Sequence, residues 1–317
     1  MTATGEKSAL RTVLVTGVAG FIGSHTAAAL LKRGSAVVGV DDLSQGCRDR
    51  VPPGVTFHQL DIRRSGDLDR LLADRPVDAV VHMAAQVSVT AGERDPGHDR
   101  EVNLDATAEL ARLAARRGVG VFVFASSAAV YGDPAQLPLT ESSPANPRSA
   151  YGLHKWLAEL YVAHVARQAG MRHVNLRLAN VYGPGQQARS DGGVIAAFLD
   201  RLAAGEPLVL HGDGRQTRDF IYVGDVVEAV LAALEGRGSG TFNVSSGRET
   251  DLLTVIRHLA ALVQQEPRVI HADPRPGDIR RSVLDPAAAM RDLGWSPRVS
   301  LEEGLALAWK HHPRRTQ

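Results

Sequence analysis

Short apolar runs alternate with helical patterns through the first 180 residues of the chain. Thr12–Thr16 is rich in β-branched residues, which is typical of a buried parallel strand, and an apolar helical pattern follows at residues 24–33. Further apolar runs predict strands at 36–40, 55–60, 77–81, 119–125 and 172–177, and longer helical patterns lie at 93–117 and 149–170. This alternation predicts an α/β fold, a doubly wound parallel sheet of the Rossmann type.

The pattern changes after residue 180. Helical segments alternate there with short strands and with loops rich in Gly, Pro and Asp. The predicted helices are 194–204, 224–235, 251–264, 286–293 and 300–311, and the strands are 241–244 and 268–270. Residues 211–219 and 275–278 are expected to be exposed loops that carry arginines. We therefore expect two domains, a Rossmann-type domain over residues 11–180 and a smaller C-terminal α/β domain over 181–317, with more than one crossing of the chain between them.

A glycine-rich turn joins the first strand to the first helix. Gly17 permits a tight turn, Gly20 lets the backbone approach a pyrophosphate, and Gly23 lets the helix pack closely on the strand. Strand, glycine turn and helix in this order predict a dinucleotide site, although the spacing is G-x-x-G-x-x-G rather than G-x-G-x-x-G.

Acidic and small residues follow the next strands. Asp41 and Asp42 end the second strand, where a carboxylate accepts hydrogen bonds from adenosine ribose hydroxyls and repels a 2′-phosphate, which favours NAD over NADP. Asp61 is placed to reach the adenine amino group, and the small Ala84 and Ala85 after the fourth strand leave room for a cofactor.

The candidate chemistry lies at Ser126–Ser127 and at Tyr151 and Lys155. The fifth strand ends at the two serines, at the edge of a parallel sheet where ligands bind. Tyr151 and Lys155 are one helical turn apart on one face, and Ser149 is a plausible N-cap for their helix. An ammonium beside the phenol is expected to lower the pKa of Tyr151 and to allow acid/base chemistry on an alcohol shared with a serine.

Composition and charge narrow the class of protein. The 317 residues are 44% hydrophobic and carry a formal net charge of +1, which indicates a globular protein and offers no electrostatic case for nucleic acid or an anionic membrane. The single Cys47 excludes an intramolecular disulfide and a thiolate metal cluster, and the histidines lack metal-ligand spacing, so no metal is expected. No apolar leader or membrane-length segment is present, which makes the cytoplasm the expected location.

The ordered set of motifs resembles the extended short-chain dehydrogenases/reductases, specifically the UDP-sugar 4-epimerases. The resemblance covers about residues 11–310 and rests on TGVAGFIGSH, VDDLS, LDIRR, HMAAQVSV, an Asp-Pro followed by Asn103, FASSAAVYGD, YGLHK, LRLANVYGPGQ, GDGRQTRDFIYVGDV and PRPGDIRRS. It implies an NAD-dependent isomerase, a UDP-sugar substrate and a homodimer formed through the 93–117 and 149–170 helices.

The resemblance also implies roles for particular residues. The catalytic group falls on Ser127, Tyr151 and Lys155, and the first two also meet the substrate. Cofactor contacts fall on the 17–23 loop, especially Phe21 and Ile22, and on Asp41, Asp42, Ser44, Asp61, Ile62, Met83, Ala84, Gln86, Asn103, Tyr151 and Lys155. Diphosphate and uridine contacts fall on Asn180, Val194, Val209, His211, Arg218, Arg275 and Asp278. Relatives commonly have an aromatic residue where His211 stands.

The implied reaction inverts C4 of a UDP-hexose through a transient 4-keto sugar, and several alternatives stay open. UDP-glucose/UDP-galactose is the first choice; Arg189 facing a C6 carboxylate would favour the glucuronate/galacturonate pair, and a small Ser282 would leave room for an N-acetyl group. Ala128 and Ala129 replace the Asp-Glu pair of the related dehydratases, which disfavours elimination of water. An NAD-binding regulator on the same fold and an RNA-associated scaffold are the non-enzymatic alternatives.

Overall fold

The computed structural model of the chain describes residues 12–188, 193–274 and 279–313. Its strands are β1 Thr12–Thr16, β2 Ala36–Asp41, β3 Thr56–Gln59, β4 Ala79–His82, β5 Val121–Ser127, β6 Arg172–Leu178, β7 Asn180–Tyr182, β8 Leu208–His211, β9 Thr217–Tyr222, β10 Gly240–Val244, β11 Glu249–Asp251 and β12 Val269–Ala272.

The α-helices of the described residues lie between these strands. They are α1 Phe21–Lys32, α2 Ser65–Asp74, α3 Val89–Arg94, α4 Pro96–Arg100, α5 Ala106–Arg116, α6 Ala150–Ala169, α7 Val194–Ala203, α8 Val223–Glu235, α9 Leu252–Val263, α10 Ala287–Leu293 and α11 Leu301–Lys310. A π-helical turn at Glu101–Asp105 joins α4 to α5, and 3₁₀ turns lie at Arg48–Arg50 and Ala128–Tyr131.

Seven parallel strands form the main sheet, in the order β10-β6-β5-β4-β1-β2-β3. The chain builds one half of the sheet outward from β1 and the other half outward from β4. The strand order therefore reverses between β1 and β4, and the carboxyl ends of these neighbouring strands form the crevice in which doubly wound sheets bind nucleotides.

Helices cover both faces of this sheet because its strands are apolar on both sides. One core packs α1, α8 and α10 against one face, and a second core packs α2, α5 and α6 against the other. The predicted Rossmann-type fold class is thus confirmed, with helices on both faces of a parallel sheet.

The later part of the chain contributes to both the main sheet and separate smaller ones. Strand β10 pairs with β6 in the main sheet, whereas β7, β9 and β11 form one small sheet and β8 pairs with β12 in another. A third core joins α7, α9 and α11 to these small sheets. The domain boundary at residue 180 and the crossing of the chain between the two domains stay predictions.

Two local predictions are wrong. The stretch 93–117 was expected to be one helix, but Asp95 ends α3 and caps α4, since its Oδ1 accepts a hydrogen bond from the His98 amide. The segment 211–219 was expected to be an exposed loop, but β9 begins at Thr217 and Asp219 is fully buried. Its carboxylate can be buried because it accepts hydrogen bonds from the amide and the hydroxyl of Ser246.

No helix of the described residues is long and apolar enough to cross a membrane.

Candidate active site

The glycine turn between β1 and α1 is closed by backbone contacts that exclude side chains. Gly17 has a φ of +69° and donates to the Val40 carbonyl at 2.8 Å. A Cβ on Gly23 would lie 2.0 Å from the Gly17 carbonyl oxygen. Helix α1 begins directly after Gly20, so its free N–H groups face the turn, which is the arrangement that binds a diphosphate.

The acids after β2 are tied to their own loop and to the glycine turn. Asp41 is buried and accepts hydrogen bonds from the Ala19 and Leu43 amides, each at 2.9 Å. Asp42 accepts from the amide and hydroxyl of Ser44 at 2.9 and 2.6 Å. Burial raises the pKa of Asp41, and the two backbone bonds oppose it. Each Asp41 oxygen accepts one of these bonds and so retains a lone pair that a ribose hydroxyl can use, and the ribose contact stays a prediction.

The other predicted cofactor residues lie along the same edge of the sheet. Asp61 forms an ion pair with Arg63, which lowers the pKa of Asp61. The carboxylate that is predicted to contact adenine is therefore already bound to a guanidinium. A Cβ on Gly17 would lie 2.7 Å from the Ala84 amide, so the turn touches the loop after β4. This loop contains Met83, Ala84, Ala85 and Gln86 and is only partly buried.

Asn103 supports the loop after β4 and offers a free acceptor. Its amide nitrogen donates to the Gln86 carbonyl at 2.9 Å, and its buried Oδ1 has no hydrogen-bond partner among the described residues. Buried polar atoms are normally paired. A closed glycine turn at a helix N-terminus, an acid after β2 and this unpaired acceptor therefore fit a dinucleotide such as NAD.

Ser127, Tyr151 and Lys155 meet at the carboxyl end of β5. The side chains of Ser127 and Tyr151 are hydrogen-bonded. Lys155 is 2% exposed, its Nζ donates to the Ala125 carbonyl at 2.9 Å, and the ammonium lies 4.6 Å from the Phe124 ring centre and 5.9 Å from that of Tyr151. The structure thus brings together the three residues predicted as catalytic.

The expected lowering of the Tyr151 pKa is wrong in this structure. Burial raises the pKa of Tyr151 to about 12, the negative charge of Asp99 adds to the rise, and the hydrogen bond with Ser127 opposes it. Burial also lowers the pKa of Lys155 to about 8, opposed by the charges of Asp99 and Glu159. The physical reason is that removal of water from both groups outweighs the attraction expected from their spacing alone.

Sequence reasoning missed Asp99, which contacts α6, the helix of Tyr151 and Lys155. This carboxylate is fully buried, accepts from Gln86 Nε2 at 2.6 Å and lies 2.6 Å from Nδ1 of His154, the residue before Lys155. Asp99 is also a charge that acts on both Tyr151 and Lys155. Asp99 lies four residues after Asp95, the first residue of the Asp-Pro motif. Its position in the sequence gave no indication that it lies near Tyr151 and Lys155.

Sequence reasoning also treated the two serines together, and the structure separates them. Ser127 bonds Tyr151, whereas Ser126 is 3% exposed and donates to Glu159. Glu159 also receives the guanidinium of Arg177. A signal existed for Glu159, because it continues the four-residue spacing of Tyr151 and Lys155.

The predicted substrate residues lie on elements of the later half. Asn180 begins β7, Val194 begins α7, and Val209 and His211 belong to β8. Arg218 lies on β9, half-buried, and donates to the Ile279 carbonyl at 2.6 Å. Arg189, Arg275 and Asp278 lie outside the described residues. The roles of all these residues stay predictions.

Comparison with known proteins places this site in a family. Residues 13–245 match the model of the NAD dependent epimerase/dehydratase family. A putative UDP-glucose 4-epimerase of Methanocaldococcus jannaschii is 37% identical over 310 residues, 96% of this chain and 100% of the relative. The chain therefore belongs to the NAD-dependent epimerase/dehydratase family.

Solved structures agree over almost the whole chain. The UDP-glucose 4-epimerase of Thermotoga maritima, crystallised with UDP-glucose, is 36% identical, with a TM-score of 0.94 over 96% of this chain and 100% of that one. The UDP-glucose 4-epimerase of Thermus thermophilus, crystallised with NAD, is 39% identical, with a TM-score of 0.89 over 95% and 98%. These matches confirm the predicted family, the isomerase class and NAD as the cofactor.

Other similar proteins have different UDP-sugar names. A UDP-N-acetylglucosamine 4-epimerase of Methanobrevibacter ruminantium M1 is 31% identical, with a TM-score of 0.90 over 95% of this chain and 97% of that one. UDP-glucuronic acid decarboxylase 2 of Arabidopsis thaliana is 31% identical over 96% of this chain and 68% of the relative. The family is therefore shown, and the choice of sugar is a separate question.

Proposed function

We propose that the protein inverts C4 of a UDP-hexose, with UDP-glucose and UDP-galactose as the preferred pair. The observation that carries the proposal is the hydrogen-bonded Ser127–Tyr151 pair beside Lys155, at the sheet edge that also contains the glycine turn. The names of the M. jannaschii and T. maritima relatives support the choice of sugar.

Tyr151 and Ser127 are proposed to handle the proton of the sugar 4-hydroxyl. NAD⁺, when bound, would supply the hydride acceptor for C4. Tyr151 takes the proton from the 4-oxygen when the alcohol is oxidised and returns it when the ketone is reduced, and Ser127 orients that oxygen. Because burial raises the pKa of Tyr151 to about 12, its phenol form dominates and suits the return step. The hydrogen bond with Ser127 lowers this pKa and so favours the forward step.

Inversion requires the keto sugar to present its other face before it is reduced. The net redox change is zero, so the cofactor is regenerated within the site. Contacts remote from C4, for which we propose Asn180 and Arg218, would hold the nucleotide while the hexose turns. Binding energy from such remote groups lowers the barrier at the reacting carbon.

The choice of sugar depends on groups that line the hexose. Ser282 is buried and small, which supports tolerance of an N-acetyl group. A cation at Arg189 would instead favour a uronate. A 4-keto uronate is a β-keto acid and loses CO₂ readily. Oxidation of UDP-glucuronate at C4 would therefore allow decarboxylation to compete with epimerisation.

We also propose that the protein is a homodimer through α5 and α6. Leu153, Leu160 and Tyr161 are each more than a third exposed and lie on one stripe of α6. Arg112 of α5 stacks over Tyr161, with its guanidinium 5.0 Å from the ring centre. Leu160→Glu should lower the sedimentation coefficient to that of a monomer, whereas Leu253→Glu, at another exposed leucine, should leave it unchanged. The cytoplasmic location stays a prediction from the sequence.

One assay tests the reaction. The purified protein is incubated separately with UDP-glucose, UDP-glucuronate and UDP-N-acetylglucosamine, without added NAD, and the products are separated. We expect UDP-glucose and UDP-galactose to equilibrate. Tyr151→Phe should lower the rate by about 10²–10⁴-fold, and Tyr161→Phe, on an exposed phenol of the same helix, should leave it unchanged. Equilibration of another pair, or release of CO₂, would reassign the sugar, and no change with any of them would refute the proposal.

A further inference from the structure

The end of β5 and the first half of α6 are joined at three successive positions. Ser127 bonds Tyr151, the Ala125 carbonyl accepts from Lys155 at 2.9 Å, and Ser126 donates to Glu159. On the helix these partners are spaced by four residues and therefore lie on one face. Only the first two contacts involve residues of the proposed reaction.

The third contact is anchored in the main sheet. Arg177 of β6 is paired with Ser126 in the strand register, and its guanidinium meets Glu159 through Nη2 at 2.7 Å and through Nε at 3.0 and 3.2 Å. Both side chains of the pair are less than a tenth exposed. Tyr131 covers Arg177, with its ring centre 4.8 Å from the guanidinium carbon. Two neighbouring strands thus fix the position of Glu159 on α6.

A buried ion pair of this kind is weak evidence for stability. The cost of removing two charges from water roughly offsets their attraction, and apolar residues of similar size often stabilise a protein at least as well. The Glu159–Arg177 pair therefore calls for a reason other than stability, and its contact with the strand that carries Ser127 offers one.

We propose that Ser126, Glu159 and Arg177 are positioning residues that hold α6 in register with β5, so that Tyr151 and Lys155 stay at the spacing from Ser127 that proton transfer needs. The proposal rests on the proposed function, because the register matters for a reaction at the Ser127–Tyr151 pair. None of the three residues needs to touch the substrate or the cofactor.

Ser126→Ala tests the register with the smallest change. It removes one hydrogen bond to the Glu159 carboxylate, and Ser126→Thr restores a hydroxyl at the same place. The variant Glu159→Gln with Arg177→Met removes both charges and leaves no unpaired ion. Arg172→Met is the matched control, since Arg172 lies at the opposite end of β6 and bonds carbonyls of α8 and its following loop, away from the site.

A positioning role predicts a loss in kcat rather than in KM. For Ser126→Ala and for the double variant we expect kcat to fall by about ten- to a hundredfold, because small misplacements of reacting groups have effects of this size, while KM changes little. Ser126→Thr should recover most of the rate. Arg172→Met should lower the melting temperature and keep kcat. Wild-type kcat in Ser126→Ala, or an equal loss of kcat in Arg172→Met, would overturn the proposal.

A second readout does not depend on turnover. The chain has only four lysines, at positions 7, 32, 155 and 310, so nitrogen-15 labelling of lysine gives few side-chain signals, and Lys155→Met identifies the buried one. Because Glu159 raises the pKa of Lys155, the double variant should show a lower titration midpoint for Lys155. An unchanged midpoint would contradict coupling through Glu159. A wild-type protein inactive on every UDP-sugar would refute the proposed function, and this titration would still test the coupling.

Discussion

Asp99 Oδ1 lies 2.6 Å from His154 Nδ1, and this contact joins α4 to α6, the helix of Tyr151 and Lys155. The other carboxylate oxygen accepts from Gln86, on the loop after β4. Asp99 therefore holds the proposed cofactor loop and α6 together, and it places a buried negative charge near Tyr151 and Lys155.

The first prediction concerns the pH dependence set by Asp99. Asp99→Asn removes a charge that raises the pKa of Tyr151 and keeps a similar shape. Loss of a nearby like charge favours the phenolate, so we expect the acid limb of the pH profile of kcat/KM to move by roughly one unit to lower pH. Asp105→Asn, on an exposed carboxylate of the π-helical turn, should leave the profile in place. A shift to higher pH would contradict an electrostatic action of Asp99 on Tyr151.

The second prediction concerns the cost of burying Lys155. Its pKa is about 8 in the folded protein and 10.5 in the reference state, so the buried cation opposes folding fully below pH 8, and the penalty disappears as pH rises from 8 to 10.5. We expect Lys155→Met to abolish turnover and to raise the free energy of unfolding near pH 7 by about 1–3 kcal/mol. The gain should vanish above pH 10.5.

Lys32→Met is the control for this gain, because Lys32 is exposed at the end of α1. Urea unfolding of both variants at pH 7 and at pH 10.5 provides the comparison. A loss of stability in Lys155→Met at pH 7 would mean that its bond to the Ala125 carbonyl and its contact with Phe124 outweigh the desolvation of the ammonium.

The third prediction concerns the glycine turn. A methyl group on Gly23 would lie 2.0 Å from the Gly17 carbonyl oxygen, so Gly23→Ala must displace the turn from α1. We expect it to destabilise the protein by about 1–3 kcal/mol and to remove most of the NAD that is retained on purification. Gly66→Ala is a matched change inside helix α2, where a Cβ meets nothing, and it should stabilise by about 0.5–1 kcal/mol. Full retention of NAD in Gly23→Ala would refute the role of the close approach.

Local patterns predicted the elements well because each depends on a few consecutive residues. Strand β1 occupies Thr12–Thr16 as predicted, and α6 spans Ala150–Ala169 against a predicted 149–170. The three catalytic candidates could be proposed because the spacing of Tyr151 and Lys155 and the glycine turn are short-range features, and their role stays a prediction. The break at Asp95 was missed because a capping residue competes there with the helical pattern.

The electrostatics of the site could not be predicted in the same way. Asp99 and His154 are 55 residues apart in the chain, so their contact depends on the fold rather than on spacing. The pKa of Tyr151 moves opposite to expectation because burial, which the sequence does not show, is its largest influence. Ser126 and Ser127 look equivalent in the chain and differ only because strand residues alternate in direction.

A buried hydrogen-bond network connects the glycine-turn strand to α5. The Ala84 amide donates to Thr16 Oγ1, which lies 2.7 Å from His82 Nδ1. On the other side of the ring, Nε2 lies 2.9 Å from Thr107 Oγ1, and that hydroxyl donates to the Asn103 carbonyl. Since Thr107 uses its proton on the carbonyl, Nε2 of His82 must be the donor, and Nδ1 is left to accept from Thr16.

The fourth prediction tests this network. Burial lowers the pKa of His82 to about 3, so the ring is neutral and its single N–H needs the Thr107 hydroxyl. Thr107→Val keeps the shape, leaves that N–H unpaired in the core, and should cost about 1–3 kcal/mol in urea unfolding. It should also weaken retention of NAD, because Asn103 and Ala84, at the two ends of the network, are proposed cofactor contacts.

Thr26→Val is the control, since the buried Thr26 hydroxyl donates only to the Ile22 carbonyl of its own helix. That carbonyl also accepts a backbone hydrogen bond within α1, so we expect a smaller loss in the free energy of unfolding, below about 1 kcal/mol. Equal losses in the two variants would show that the His82 network adds nothing beyond a single hydroxyl bond. A large loss in Thr107→Val with unchanged retention of NAD would restrict the network to folding and separate it from the cofactor site.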